Sequence, residues 1–314
     1  MLRSTSFFVT NVTAFREELF VVQIEPSIED RIGAHFGALS PQLKLAARFV
    51  AEHPHNVAMR SLRHIASTSK LSPPTFTRLA RAVGCKNYEE MREICRRETT
   101  RQSRTFADKA RLLQQRGADD TRREPGGLVG RQAAAAIANI EALLASIDPA
   151  KLERAADILA TSERVLLVGL LSSTAFVDYA AYMANMAFPN WQAAGRSGVS
   201  MPAALFDTTR RDAVLVLTKS PYARRSIEAA RIAKRTGARV IAITDGVHSP
   251  VVPLAHVSFI VATDSPNFFP SHAATLVLFE ALISMVVRKS GKRAQMRIAA
   301  VENANRSHSE YWQG

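Results

Sequence analysis

Residues 61–83 constrain this chain more than any other stretch, because they scan as two short helices separated by a tight break. Ser61 stands where a helix N-cap belongs, with Leu62, Ile65 and Ala66 at helical spacing behind it. Residues 67–71 are too polar to continue that helix. Ser72 then offers a second N-cap, with Pro73 at the first helical position, where a missing N–H costs nothing. Beyond it Phe76, Leu79, Ala80 and Val83 share one face, while Pro74, Arg78 and Arg81 point the other way. An apolar side that seats the second helix and a cationic side that faces a DNA groove are what a helix-turn-helix requires.

A solvated basic face on an ordinary helix pair would read the same way, so the distribution of charge matters. The chain of 314 residues has 41 Lys and Arg against 28 Asp and Glu, a formal net charge of +13. Between residues 40 and 123 there are 18 basic and 8 acidic side chains, so most of the excess surrounds the helix pair. Such a concentration is the footprint expected of a module that contacts phosphates, and double-stranded DNA becomes the favoured partner.

The length fits two domains, and a hydrophobic fraction of 47% is ample for folded cores. Residues 1–26 read as an amino-terminal extension whose apolar residues are broken by Arg16, Glu17 and Glu18 and which lacks a signal-peptide pattern. Residues 27–104 read as helical throughout, with Gly84 ending the second helix of the pair. Residues 105–130 are polar and rich in charge and glycine, as a hinge would be. Two cysteines, Cys85 and Cys95, form neither a disulfide framework nor a metal cluster, and a reducing cytoplasm is the expected location. His248 and His256 lack ligand spacing with any cysteine or carboxylate cluster, so neither a metal nor another cofactor is expected. No uninterrupted apolar run is long enough to span a membrane.

From residue 131 the rhythm changes. Short β-branched runs at 165–169, 213–218, 239–244 and 257–262 alternate with helical segments at 172–187, 222–236 and 271–289. This pattern predicts a doubly wound α/β layer with a parallel sheet, which binds ligands beyond the carboxyl ends of its strands. Two loops leave such ends. One carries Ser172 and Ser173, and the other carries Thr218, Ser220 and Arg224. Hydroxyls, a guanidinium and free N–H groups at a helix start suit an anionic ligand. Serines also cap helices routinely, and Arg224 beside Arg225 reads equally well as a solvated arginine.

These residues resemble the RpiR family of bacterial regulators, in which an amino-terminal helix-turn-helix domain precedes a sugar isomerase (SIS) domain. The likeness runs over 27–291 and rests on Leu39-Ser40-Pro41, Glu52-His53-Pro54, residues 61–66, residues 72–81 and Gly84-Cys85-Lys86-Asn87-Tyr88. The resemblance implies an all-α helix-turn-helix domain followed by a SIS-like sheet domain at 131–291 and a carboxyl-terminal tail at 292–314. It places Ser72, Thr75, Thr77, Arg78 and Arg81 against DNA, with Lys86 near its backbone. The ligand loops keep Ser172, Ser173, Thr218 and Ser220. Leu171, Pro221 and Ala223 stand where a glycine, a glycine and a threonine are usual, which removes close backbone approach and a hydroxyl. The second loop resembles a Pro-Tyr-x-Arg variant, so the effector need not be a phosphosugar.

The function expected is a ligand-responsive transcriptional regulator. It would act as a homodimer or homotetramer that binds an operator and senses a small anionic, sugar-related metabolite. The alternative is a sugar-phosphate isomerase, for which Glu280 and His272 are the candidate proton-transfer groups. A third reading, a scaffold without DNA binding, leaves the basic helix pair unexplained.

Overall fold

The computed structural model describes residues 27–103, 105–115, 127–196 and 198–312. The expected extension at 1–26 and most of the glycine-rich hinge lie outside the described residues. The chain divides into two compact units. One takes in the described part of Met1–Ala135 together with Pro266–Phe269, and the other takes in Ala136–Ser265 and the described part of Pro270–Gly314.

The first unit is built from helices α1 (Ile28–His35), α2 (Pro41–Glu52), α3 (Pro54–Met59), α4 (Leu62–Ser69), α5 (Pro73–Ala82) and α6 (Tyr88–Ser103). Its core gathers Ile28, Val50, Val57, Ile65, Phe76, Leu79, Val83 and Met91, all fully buried. Phe49 meets Phe76 edge to face at 6.1 Å between ring centroids, which fixes α5 on α2. Ser61 caps α4 by accepting the His64 amide at 3.3 Å. The break after α4 is a tight Schellman-type turn. The Leu71 amide donates to Ala66 O at 3.1 Å and the Lys70 amide to Ser67 O at 3.3 Å, with Lys70 left-handed at φ 58°. Gly84, at φ 79°, closes α5 with the same pattern, its own amide donating to Arg81 O and the Cys85 amide to Ala80 O. Helix α7 (Phe106–Gln115) lies inside the stretch expected to be a linker, but none of its residues is buried, as its polar composition dictates.

The second unit begins within helix α8 (Gly127–Ser146) and continues through α9 (Pro149–Ala160). It comprises β1 (Val165–Gly169), α10 (Thr174–Ala187), β2 (Trp191–Ala193), α11 (Met201–Phe206), β3 (Ala213–Leu217), α12 (Arg224–Thr236), β4 (Arg239–Thr244), β5 (Val257–Ile260), α13 (Ala273–Ser290) and α14 (Lys292–Ser307). The five strands are parallel, in the order β2-β1-β3-β4-β5. Both faces are covered, as a parallel sheet requires. Val165, Leu167, Leu215 and Ile241 pack beneath α9, α10 and α13, whereas Leu166, Val168, Val214 and Val240 pack beneath α11 and α12. At the amino ends of the strands Arg164 grips Asp212 through two bonds of 3.0 and 2.9 Å. Burial pushes the Asp212 carboxyl up, but Arg164 and Thr209 together hold it below its ordinary pKa.

One expectation needs correction. Residues 292–314 are not merely a tail, since α14 occupies Lys292–Ser307, buries Ala294 and sends Arg297 to Asn185 O at 3.2 Å. Helix α8 is long and apolar enough, by length and composition alone, to cross a membrane. It carries Arg131 and Glu141, however, and its buried Asn139 exchanges hydrogen bonds of 2.8 and 3.1 Å with the Asp264 backbone.

Candidate DNA-binding surface and effector site

Helix α5 divides its side chains cleanly. Phe76, Leu79 and Ala80 are fully buried, while Ser72, Arg78 and Arg81 are exposed and Thr77 is half-buried. The buried half is what orients the other. With Phe76 and Leu79 locked into the core, the two arginines and the first helical turn have only one direction to face. Lys86 is exposed just beyond Gly84, and its amide donates to the Glu90 carboxylate. Ser72 holds the N-cap position without capping, because its hydroxyl shares a 2.9 Å hydrogen bond with that of Thr75. Thr75 departs from expectation. It is fully buried, so its side chain is a packing element that fixes Ser72 rather than a DNA contact.

In the second unit the strand order reverses between β1 and β3, since β1 is followed by β2 on one side and by β3 on the other. A crevice at the carboxyl ends of such a pair is where doubly wound sheets bind ligands. Gly169 pairs with Leu217, so the loops carrying Ser172 and Ser173 and those carrying Thr218 and Ser220 emerge side by side. A Cβ on Gly169 would meet the Ser173 carbonyl oxygen at 2.8 Å and a Val177 methyl at 2.4 Å, so glycine is what lets the first loop turn back tightly over its strand. Leu171 adopts φ 55° with its side chain 74% exposed, a glycine-like conformation imposed on leucine at the mouth of the crevice. Ser173 and Thr218 are buried, Ser172 is half-buried, and Ser220 and Arg224 are exposed.

The second loop is not a simple anion cradle. The Ser220 amide donates to the Asp245 carboxylate at 2.8 Å, and Pro221 has no amide to offer. Next to Ser220, Lys219 is only 4% exposed, and its ammonium reaches Val261 O at 3.3 Å. Burial pulls its pKa down to about 7, opposed by the charge of Asp245. His272, just before α13, stacks on Phe176 at 3.9 Å between centroids. Burial and then the Lys219 charge depress its pKa to about 4, so the ring is neutral at physiological pH. Glu280 lies on the exposed face of α13, where its carboxylate accepts from the Tyr179 hydroxyl at 2.9 Å. No group of three or more His, Cys, Asp or Glu is placed to hold a metal among the described residues. Lys219 and Asp245 are not among the groups expected from the sequence to line this loop. The signal was there, in a lysine two residues beyond the end of an apolar strand.

Residues 158–285 match the family described as the SIS domain. The parallel-sheet part of the chain is therefore a SIS domain. An HTH-type transcriptional regulator of Haemophilus influenzae is 25% identical over 233 residues, covering 73% of this chain and 77% of the relative. Another from Caldanaerobacter subterraneus subsp. tengcongensis is 21% identical over 276 residues, covering 80% and 87%. Among solved structures, the sugar isomerase domain of an RpiR transcription factor from Sphaerobacter thermophilus superposes with a TM-score of 0.53 at 19% identity, covering 56% of this chain and 98% of that one. The Vibrio vulnificus NanR protein, complexed with ManNAc-6P, gives 0.52 at 19% identity over 89% of this chain and 98% of its own. At that identity the likeness shows the fold. Both relatives named as HTH-type transcriptional regulators align over most of this chain, and the SIS match lies in its carboxyl-terminal part.

Proposed function

We propose that this chain is an effector-responsive transcriptional regulator. It binds double-stranded operator DNA through Ser72, Thr77, Arg78 and Arg81, with Lys86 on the phosphate backbone. It senses a small anionic, sugar-related metabolite through Ser172, Ser173, Thr218, Ser220 and Arg224 of the SIS domain. The observation that carries the reading is helix α5, with its core face fully buried and both arginines exposed. A homodimer or homotetramer in the cytoplasm, without a membrane or metal partner, is the working form. Its paired α5 helices would read a two-fold symmetric site, and the effector would shift their spacing. No catalytic role is assigned. The single carboxylate offered for proton transfer, Glu280, is engaged by Tyr179 on an exposed helix face, and a fold alone does not carry chemistry.

Operator binding is expected to fall steeply with salt, because each neutralised phosphate contributes about −0.9 to the slope of log affinity against log salt concentration. Titration of a DNA site selected from a random pool, repeated at several salt concentrations, measures it. A flat plot would remove the electrostatic argument. In the SIS domain, the double substitution Ser220→Ala and Arg224→Ala should leave operator affinity unchanged and abolish the response to effector, since both side chains are exposed on the sensing loop. An unaltered effector titration in that variant would exclude the loop from sensing.

A further inference from the structure

Three polar side chains, one just beyond the carboxyl end of β3 and two at the start of α13, have less hydrogen bonding than their burial demands. Lys219 follows β3 and has a single long contact, from its ammonium to Val261 O at 3.3 Å. His272 is 5% exposed, and neither ring nitrogen has a hydrogen-bond partner. Thr275 stands one helical turn further along α13, fully buried, with its hydroxyl likewise unpartnered. Buried polar groups in folded proteins are almost always paired, because each lost partner costs the desolvation of the group. Three such groups together mark a place built for something that pairs with them. Their chemistry is specific: an ammonium, an imidazole N–H and a hydroxyl all donate to an oxyanion.

We propose that Lys219, His272 and Thr275 form an inner subsite that takes the carboxylate of a sugar acid. The inference rests on the effector-site reading above and specifies its ligand. A carboxylate is favoured over a phosphomonoester for two reasons visible in the loops. The Ser220 amide that a phosphate would use is committed to Asp245, and Pro221 supplies none. Asp245 also stands beside Lys219, so the site offers one buried cation next to a fixed negative charge, which suits a monoanion and opposes a dianion. The hydroxyls of the same ligand would then lie towards Ser172, Ser173 and Ser220. Phe176, stacked on His272, fixes the plane of the imidazole.

A bound carboxylate would hold Lys219 protonated, so binding should be accompanied by proton uptake and should weaken as pH rises above about 7. The charged or titratable groups facing Lys219 are Asp245 after β4 and His272 before α13. Of these His272, with its pKa near 4, stays neutral across the same window.

The full chain should be titrated with D-gluconate, D-galactonate and D-glucuronate, with D-glucose, D-glucose 6-phosphate and inorganic phosphate as comparisons, by calorimetry and thermal shift. At least one sugar acid is expected to bind with millimolar or better affinity while glucose does not. Lys219→Met should weaken that binding at least tenfold, Thr275→Val severalfold, and both should leave operator affinity as it was. Above pH 7 the affinity should drop by up to tenfold per pH unit. The inference is overturned if none of the three acids binds, if Lys219→Met binds them as the parent does, or if affinity is flat between pH 7 and 9. Tight binding of glucose 6-phosphate that survives Lys219→Met would keep the effector site and overturn the inner carboxylate subsite. Because ligand binding is read without DNA, a failure of operator recognition is seen separately.

Discussion

Arg78→Ala is expected to weaken operator binding by about tenfold to a hundredfold, the loss of roughly 1–3 kcal/mol that a groove-reading side chain contributes. The side chain is exposed on α5 while its neighbours Phe76 and Leu79 are wholly buried, so its removal takes away a contact without disturbing the core. The control is Phe76→Ala. That ring is fully buried against Phe49, and deleting it should cost about 3–5 kcal/mol of stability and abolish binding by unfolding the domain. Mobility shift and thermal melting on the same preparations separate the two. Arg78→Ala should melt like the parent and fail to bind, whereas Phe76→Ala should fail in both. Normal binding by folded Arg78→Ala would mean that another helix reads the groove. Thr75→Ala is instructive beside them, because Thr75 anchors the Ser72 hydroxyl from inside the core. Any loss there should appear in the melt before it appears in the affinity.

The contrast between Arg78 and Thr75 shows how far the sequence could be read. Periodicity placed Phe76, Leu79, Ala80 and Val83 on one face correctly, because burial of an amphipathic helix repeats every three to four residues. It could not place Thr75, a small amphipathic residue at the edge of that face, where the path of α2 and α4 decides between core and solvent. In the sheet, β1 and β4 were legible to the residue, since their apolar β-branched runs are bounded by polar turns. The three-residue strand β2 and the six-residue helix α11 are too short to show a period. Helix α14 was missed because it buries little beyond Ala294. The two candidate loops were singled out by a topological rule that places ligands beyond the carboxyl ends of parallel strands. Lys219 was not, because its importance lies in contacts with Val261, Asp245 and His272, which are between 26 and 53 residues away in sequence.

Lys219→Met should make the protein more stable while making it unable to respond. In the folded chain burial lowers the Lys219 pKa to about 7, against 10.5 for the free side chain. Between those values the unfolded chain binds more protons than the folded one, so stability rises with pH across that window. Below pH 7 both states are protonated, and the folded protein carries the cost of a buried ammonium, offset only in part by the charge of Asp245. Methionine of similar length removes that cost. Replacing a poorly paired buried charge by an apolar isostere stabilises by about 1–4 kcal/mol. At roughly 2–4 °C per kcal/mol for a domain of 150–250 residues, that is a rise of several degrees in melting temperature near pH 7. The gap between variant and parent should narrow as pH approaches 10, where the folded Lys219 is neutral and little free energy is needed to remove the proton that the unfolded chain still carries. His272 acts in the same direction at lower pH. Its folded pKa of about 4 against 6.5 means that stability is fully present above 6.5 and is lost as pH falls towards 4. Melting curves of the parent and Lys219→Met from pH 5 to 10 test this, and a variant that melts lower at every pH would show that the ammonium is satisfied where it lies. A stabilising change that removes the sensing function is what a site held at a cost in folding energy predicts. On the proposed reading, Lys219 is buried for the ligand's carboxylate and not for the stability of the fold.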